Sequence, residues 1–320
     1  MTPIPAGVIG VGQLGAEHAR LLRDSPDFTL VGVYDVDTDR AEEIARINSA
    51  RSFPDSGSLA GECDAVVVAV PTSAHGDVAT VALEHDCHTL VEKPLTRTIE
   101  DATRLIHLAA QRGRVLGVGH VERFNGVLLA CEPYLDSPRF IESRRLAPYQ
   151  VRGTDVTVIL DLMIHDIDLV LGLVDRPLLD VHAIGASVLT GSIDMANARL
   201  VFDGGAVADI SASRVSRKPL RQLRLYQDTG YFSLDLATGR GRHLRRTNRP
   251  LEEVGGIDDL LESIPLESSD GEPLARELDA FARAIRGEPS RLVSGAKGRE
   301  ALGVAIRITR EIEESTNVST

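Results

Sequence analysis

Positive charge is scarce in this sequence of 320 residues. Lysine and arginine number 35 against 47 aspartates and glutamates, so the formal net charge is −12. Proteins whose main partner is nucleic acid neutralise its phosphates with a basic surface, and this composition argues against that class. A small phosphorylated ligand is still allowed, because such a ligand needs only a few local cations.

Long apolar runs are scarce as well. The apolar segment of residues 159–174 is interrupted by three aspartates and a histidine, so it is not expected to cross a bilayer. Residues 1–6 contain no basic region followed by an apolar run, and they therefore predict no signal peptide. We expect a cytoplasmic protein without a membrane partner.

Cysteine occurs only at Cys63, Cys87 and Cys131, an odd number without CxxC spacing. This pattern favours buried free thiols in a reducing compartment over disulfides or a metal site. We predict no bound metal.

The order of apolar and helical segments predicts two domains, residues 1–119 and residues 120–320. In the first, short strands rich in valine, leucine and isoleucine alternate with helical patterns. This alternation is typical of βαβ units and predicts an α/β fold with a doubly wound parallel sheet. The predicted strands are residues 6–10, 30–35, 65–70, 89–92 and 115–119.

From residue 120 onwards strands follow one another with little helix between them. A long apolar helix is predicted over residues 155–174, and five strands follow between residues 179 and 236. We expect an α+β domain with an open, mainly antiparallel sheet, one face of which is available to a second subunit. Residues 251–275 carry eight acidic residues and no lysine or arginine, and we expect a solvated connector there.

The pattern Gly10-x-Gly12-x-x-Gly15 follows the first predicted strand and opens a helix. There the first glycine permits a tight turn, the second lets a pyrophosphate approach the backbone, and the third lets helix and strand pack closely. Asp35 ends the second strand, where a carboxylate accepts hydrogen bonds from ribose hydroxyls. These residues predict a bound dinucleotide rather than an empty glycine-rich turn. Asp35 favours NAD over NADP, because a 2′-phosphate would meet a like charge.

Charged residues stand at the end of the predicted strand 89–92, in Glu92-Lys93-Pro94-Leu95. The carboxyl edge of an open parallel sheet is where ligands bind, and Pro94 stiffens the turn. A lone lysine is most often a solvated charge. The apolar strand that leads to this sheet edge favours a functional role for Lys93.

The predicted apolar helix carries Asp161, His165 and Asp168 at positions i, i+4 and i+7. These three side chains would lie within about 60° of one another around an α-helix. His165 is a candidate general acid–base that Asp161 would orient. The alternative is a buried pair with a structural role only.

These motifs resemble those of the glucose–fructose oxidoreductase/inositol dehydrogenase (Gfo/Idh/MocA) family, over essentially the whole chain. That family combines a Rossmann domain bearing GxGxxG, an EKP motif after the fifth strand, and a D-x-x-x-H helix in a C-terminal open-sheet domain. The resemblance implies hydride transfer between NAD and a secondary alcohol, with Lys93 and His165 flanking the reacting carbon and Asp161 holding the imidazole. The implied cofactor contacts are Gly10, Gly12, Gln13, Leu14, Gly15, Asp35, Val70, Pro71, Thr72, His75, Glu92 and Lys93.

Residues 119–125, Gly-His-Val-Glu-Arg-Phe-Asn, depart from the R-R-[FY]-[DN] pattern of the simple-sugar dehydrogenases. They look closer to the nucleotide-sugar branch, which includes UDP-N-acetylglucosamine 3-dehydrogenases. That branch makes a 3-keto sugar that an aminotransferase converts to the 2,3-diamino sugar type used in lipid A biosynthesis. The resemblance therefore implies a UDP-sugar substrate, a coupled aminotransferase and a homodimer or homotetramer. The implied substrate contacts are Arg123, Asn125, Arg152 and His165.

Arginine recognises a diphosphate well, because its planar donors bind bidentately. Four arginines lie between the first predicted domain and the predicted apolar helix: Arg123, Arg144, Arg145 and Arg152. We expect at least half of them to form ion pairs within the protein or between subunits instead.

Three other functions use the same motifs. A polyol or inositol dehydrogenase would differ only in substrate. A glycosidase that uses NAD transiently would begin with the same oxidation, and a non-catalytic regulator would keep the cofactor fold alone. The presence of Lys93, Asp161 and His165 and the lack of a basic DNA-binding segment argue against the regulator.

Overall fold

The computed structural model describes residues 2–149, 156–247, 249–250, 255–268 and 271–317, with side chains as far as residue 315. The chain divides into two compact units. The first consists of Met1–Val121 and Glu272–Leu302, and the second of Glu122–Gly271 and Gly303–Thr320. Residues 272–302, which the sequence placed in the second domain, thus belong to the first unit.

The first unit contains a six-stranded parallel sheet in the order β3-β2-β1-β4-β5-β6. The strand order reverses between β1 and β4, so the sheet is doubly wound as predicted. Its strands are β1 Ile4–Ile9, β2 Phe28–Tyr34, β3 Arg51–Ser52, β4 Ala65–Val68, β5 His88–Glu92 and β6 Leu116–Gly119.

Helices alternate with these strands and start at residues suited to cap them. Asp37, Asp55 and Thr98 each accept a backbone N–H of the following helix, which satisfies donors that have no partner inside the helix. The helices of this part are α1 Gln13–Asp24, α2 Thr38–Ile47, α3 Ser56–Ala60, α4 His75–Glu84 and α5 Ile99–Arg112.

The core of the first unit also takes in a helix from the end of the chain, residues Pro273–Ile285. Phe281 is fully buried and stacks on Phe28 of β2, with ring centroids 6.2 Å apart. Arg286 pairs with Asp27 at 2.6 Å just beyond that helix. These contacts explain why residues 272–302 belong with the parallel sheet.

The second unit contains an eight-stranded sheet in the order β14-β13-β12-β11-β7-β10-β9-β8. Only β7 and β10 pair in parallel, and every other pair in this sheet is antiparallel. The mainly antiparallel sheet predicted for this domain is thereby confirmed. Its strands are β7 Phe140–Leu146, β8 Leu178–Ala186, β9 Met195–Phe202, β10 Val207–Ser213, β11 Leu220–Gln227, β12 Gly230–Asp235, β13 Arg240–Arg246 and β14 Leu261–Glu267.

The predicted solvated connector is wrong for much of its length. Residues Leu261–Glu267 form the edge strand β14, which pairs antiparallel with β13. Ile264 and Leu266 lie inward between exposed neighbours, and Leu266 is buried, a short pattern that the acidic composition of the segment concealed. The remaining helices are α6 Gly126–Cys131, α7 Ile164–Val174, α8 Ile257–Leu260, α9 Pro273–Ile285 and α10 Gly295–Asn317.

The long helix predicted over residues 155–174 begins differently from the expectation. Residues Ile159–Met163 form one π-helical turn, and regular α-helix starts only at Ile164. Among the described helices none is long and apolar enough to cross a membrane. The described part of the chain also contains no group of three or more histidine, cysteine or acidic side chains placed to hold a metal.

Candidate active site

The glycine loop joins β1 to α1 and shows why each glycine is there. Gly10 adopts a positive φ of 86°, which side-chain-bearing residues rarely adopt. A Cβ at Gly15 would collide with the carbonyl oxygen of Gly10, so α1 and β1 pack closely only without one. At Gly12, by contrast, a Cβ would meet nothing within 4 Å. The backbone at Gly12 therefore borders open space at the start of a helix.

This arrangement fits a dinucleotide. Gly12 is the N-cap of α1 and supplies no side chain to cap the helix. The first N–H groups of α1 and the positive end of its dipole can then meet a phosphate. Gln13 and Leu14 are both exposed next to this opening, as a contact with a ligand requires.

Asp35 follows β2 and forms a hydrogen bond to the backbone of the glycine loop. Its carboxylate accepts the Val11 N–H at 2.7 Å and the Asp37 N–H at 3.0 Å. The side chain is half-buried, so each carboxylate oxygen keeps a second lone pair for another donor. The position suits a ribose hydroxyl.

The segment after β4 meets the lysine turn through a buried histidine. His75 is 1% exposed, and its Nδ1 lies 2.7 Å from the Pro94 carbonyl oxygen and its Nε2 2.9 Å from that of Val70. Burial lowers the pKa of His75 more than the two carbonyls raise it. The imidazole thus ties these two loops together, whereas Pro71 and Thr72 remain exposed and half-buried at the surface.

The lysine turn itself follows β5, and the Lys93–Pro94 peptide bond is cis. Lys93 is half-buried, whereas Glu92 is 8% exposed. The Glu92 carboxylate lies 2.7 Å from Nε2 of His18, which is fully buried on α1. Glu92, predicted as a cofactor contact, is therefore bonded within the protein.

In the second unit the π-helical turn carries Asp161, and the first turn of α7 carries His165. Both residues are half-buried, although most of their neighbours on the helix are buried. Single π-turns within helices often occur at functional sites. The α-helical spacing used to align Asp161, His165 and Asp168 does not apply across this turn.

Asp166, which follows His165, is held by a buried arginine. Nε of Arg145 donates to Oδ2 of Asp166 at 2.6 Å, and Nη1 of Arg145 donates to Glu122 at 2.9 Å. The hydroxyl of Ser143 donates to Asp166 at 2.7 Å. Burial would lower the pKa of Arg145, but the two carboxylates outweigh it and raise this pKa. The network fixes α7 to β7 immediately beside His165.

Two predicted substrate contacts are engaged inside the second unit. Arg123 donates from Nε and Nη2 to both carboxylate oxygens of Asp168, at 2.6 and 2.8 Å. Asn125 is buried, caps α6 and donates to Glu122 at 3.1 Å and to the Leu236 carbonyl at 2.8 Å. These bonds give both residues structural tasks, and their contact with a substrate stays a prediction. Arg152 lies outside the described residues.

At least half of the four arginines were expected to form ion pairs. Arg123 and Arg145 do so within this unit. Arg144, between β7 residues with buried side chains, is exposed.

Two family models match the chain. An oxidoreductase family model with an NAD-binding Rossmann fold matches residues 4–120, and a GFO/IDH/MocA C-terminal domain model matches residues 137–233. A UDP-N-acetylglucosamine 3-dehydrogenase from Acidithiobacillus ferrooxidans is 36% identical over 314 residues, covering 98% of each chain. The chain belongs to the Gfo/Idh/MocA oxidoreductase family. Its first unit is an NAD-binding Rossmann domain.

Solved structures and other relatives agree with this membership. A crystal structure of the Acidithiobacillus enzyme superposes with a TM-score of 0.90 at 35% identity, covering 98% of this chain and 99% of that one. A myo-inositol 2-dehydrogenase from Thermotoga maritima is 26% identical over 98% of this chain and 97% of its own. The family thus includes sugar and cyclitol dehydrogenases among its relatives of nearly full length.

Sequence reasoning missed three residues that hold these segments in place: His18, Glu122 and Asp166. His18 stands three residues after Gly15, one turn into the helix, and an apolar neighbourhood around a histidine was the available signal. In the sequence, Asp166 is one of the three aspartates that interrupt the apolar segment of residues 159–174. Its partner Arg145 is 21 residues distant, and no local pattern connects the two.

Proposed function

We propose that the protein oxidises the C3 hydroxyl of UDP-N-acetylglucosamine, with NAD as the oxidant, to a 3-keto sugar. The observation that carries this proposal is the 36% identity to the Acidithiobacillus UDP-N-acetylglucosamine 3-dehydrogenase over 98% of both chains. The glycine loop and the lysine turn supply the residues that such a reaction needs.

The proposed cofactor site uses the glycine loop for the pyrophosphate and Asp35 for a ribose. Gly12 leaves the backbone open to the phosphates, and Val70, Pro71 and Thr72 border the same sheet edge as Lys93. NAD, when bound, accepts a hydride from an alcohol carbon. Asp35 would disfavour the 2′-phosphate of NADP by charge repulsion.

Proton handling is assigned to Lys93 and His165. Oxidation of a secondary alcohol requires a base that removes the hydroxyl proton. The neutral amine of a lysine and the neutral imidazole of a histidine can both serve in that role. We assign Asp161 the task of orienting His165.

The second candidate substrate is a free polyol. Inositol dehydrogenases are relatives of nearly full length, such as the Thermotoga enzyme. With Arg123 and Asn125 engaged within the protein, diphosphate recognition would fall to Arg152 and to other cations. This makes the choice between a UDP-sugar and a polyol an experimental one.

A homodimer or homotetramer is part of the proposal. The eight-stranded sheet exposes Ile184 and Met195 by 65% and 37%, and it bears a row of aromatic rings in which Tyr226 stacks on Tyr231 at 5.4 Å. Exposed apolar and aromatic side chains are suited to a subunit interface. Cytoplasmic localisation and coupling to an aminotransferase complete the proposal.

The coupled reaction tests the proposed substrate. Because oxidation of an alcohol by NAD is unfavourable at neutral pH, the keto sugar should accumulate only if it is removed. Incubation with UDP-N-acetylglucosamine, NAD, glutamate and a UDP-sugar aminotransferase should yield a 3-amino UDP-sugar by mass spectrometry. No product there, together with rapid NADH formation from myo-inositol, would assign the protein to the polyol dehydrogenases. Hydrolysis of a glycosidic bond in the reaction without the aminotransferase, with no net accumulation of NADH, would favour the glycosidase.

A further inference from the structure

The lysine turn has a buried histidine behind it that the proposed reaction does not use. His18 lies on α1, is fully buried, and places its Nε2 2.7 Å from Oε1 of Glu92. The other carboxylate oxygen, Oε2, accepts the backbone N–H of Lys93 at 3.3 Å. A single carboxylate therefore joins the helix of the glycine loop to the residue that carries the proposed proton-handling amine.

The surroundings of Glu92 are built for this bond. Gly119 is the register partner of Glu92 on β6, and a Cβ at that position would lie 2.8 Å from Oε2. Any larger residue would press on the carboxylate. A carboxylate this deeply buried is costly unless a donor compensates for the lost water, and His18 provides that donor.

His18 reaches Glu92 with only one of its nitrogens. Its Nδ1 has no hydrogen-bond partner among the described residues and is buried. A neutral imidazole with its proton on Nε2 satisfies this geometry, because Nδ1 then carries a lone pair and leaves no buried N–H unpaired.

We propose that His18 is a positioning residue for Lys93: by donating to Glu92 it holds that carboxylate in place beside the lysine turn. This inference rests on the role proposed for Lys93. Within the described part of the first unit, the titratable groups that also follow strands at this sheet edge include Asp35 after β2, His75, whose ring bonds the Pro94 carbonyl, and His120 after β6. Both histidines are buried, and Asp35 is half-buried.

The consequence is electrostatic. An anionic Glu92 stabilises the ammonium form of a nearby lysine, and a neutral Glu92 does not. Removing the His18 donor leaves Oε1 of Glu92 without this partner, so the carboxylate is free to turn away from the lysine turn and its effect on Lys93 is weakened. Loss of His18 and loss of the Glu92 charge should therefore act on Lys93 in the same direction.

The chain makes this measurable because its lysines are Lys93, Lys218 and Lys297. Reductive methylation with ¹³C-formaldehyde labels each lysine amine, and NMR then follows its titration without NAD or sugar. Lys93→Arg identifies the Lys93 signal by removing it. Lys218 and Lys297 are exposed and serve as internal controls whose midpoints should not move.

In Glu92→Gln we expect the Lys93 titration midpoint to fall by about one pH unit, the size of a Coulomb interaction at a partly buried site. His18→Phe, which keeps a ring but no donor, should give a fall of similar size. His18→Gln restores an N–H donor and should stay close to the unsubstituted protein. The double variant His18→Phe/Glu92→Gln should match Glu92→Gln alone.

An unchanged Lys93 midpoint in Glu92→Gln would overturn the proposal, and so would equal shifts in His18→Phe and His18→Gln. Glu92→Gln is nearly isosteric and provides the test even if His18→Phe does not fold. Because the titration needs no substrate, it separates this inference from the proposed function. Failure of the coupled sugar assay would leave the titration result untouched.

Discussion

The glycine loop with its lysine turn, in the first unit, and the histidine helix, in the second, are held in place by different means. Backbone geometry dominates the first: Gly10 has a positive φ, Gly15 touches the Gly10 carbonyl, and Asp35 accepts a backbone N–H. Side-chain charges dominate the second, where Arg145 joins two buried carboxylates next to His165. The backbone shape of the glycine loop leaves a sequence motif, whereas the distant side chains that support the histidine helix leave none.

The largest expected effects come from the proton-handling residue in each region. Lys93→Met and His165→Ala should each lower kcat by about 10²–10⁴-fold, the usual contribution of a general acid or base. NAD affinity should change little, because neither residue forms the glycine loop. Steady-state kinetics and NAD titration measure the two effects separately. If His165→Ala kept most of its activity, His165 would be a structural residue. The two regions would then differ only in the interactions that hold them in place.

Asp161→Asn offers a graded test within the same region. It should reduce kcat more than it weakens substrate binding, because its proposed task is to orient His165. An equal loss in both would contradict that task.

The next effect separates two neighbouring arginines of β7. Arg145→Met leaves Asp166 buried without the cation that pairs with it and leaves Glu122 with Arg221, at 3.4 Å. It should lower the free energy of unfolding by about 3–5 kcal/mol. Arg144→Met changes an exposed side chain on the same strand and should change it by less than about 0.5 kcal/mol. Urea unfolding of both variants gives the difference. Equal stabilities would show that side-chain charge does not hold the histidine helix.

The smallest effect concerns Asp35 and the choice of cofactor. The unsubstituted protein should bind NAD clearly more tightly than NADP, and Asp35→Ser should narrow that difference by removing the like-charge contact. Separate titrations of the two cofactors measure it. Equal affinities in the unsubstituted protein would contradict the reading of the glycine loop as an NAD site.

The features of the fold that the sequence predicts are those set by local residues, and the features that it does not predict depend on residues far apart in the chain. The parallel sheet and the helices of the first unit follow from local periodicity and from glycines whose conformation or packing demands them. The edge strand β14 was missed because its acidic residues hid a short apolar alternation. The membership of α9 in the first unit depends on Phe28 meeting Phe281, a pair far apart in the chain.

The candidate site shows the limit more sharply. Lys93 and His165 could be named because each stands in a short motif. Arg123 and Asn125 resembled substrate contacts, since their sequence positions do not reveal that Asp168 and Leu236 bind them. The π-turn at Ile159–Met163 likewise has no signature in a run of apolar residues. It alters the α-helical spacing from which Asp161, His165 and Asp168 were predicted to lie on one side of the helix.

The central claim is that a hydrogen leaves C3 of a UDP-sugar as a hydride to NAD, and an isotope transfer tests it most directly. UDP-N-acetylglucosamine deuterated only at C3 is incubated with the protein, NAD and the coupled aminotransferase, and the NADH formed is weighed by mass spectrometry. The account predicts NADH that is one mass unit heavier than NADH from the unlabelled sugar. NADH of ordinary mass, formed at a comparable rate, would show that another carbon is oxidised and would contradict the account.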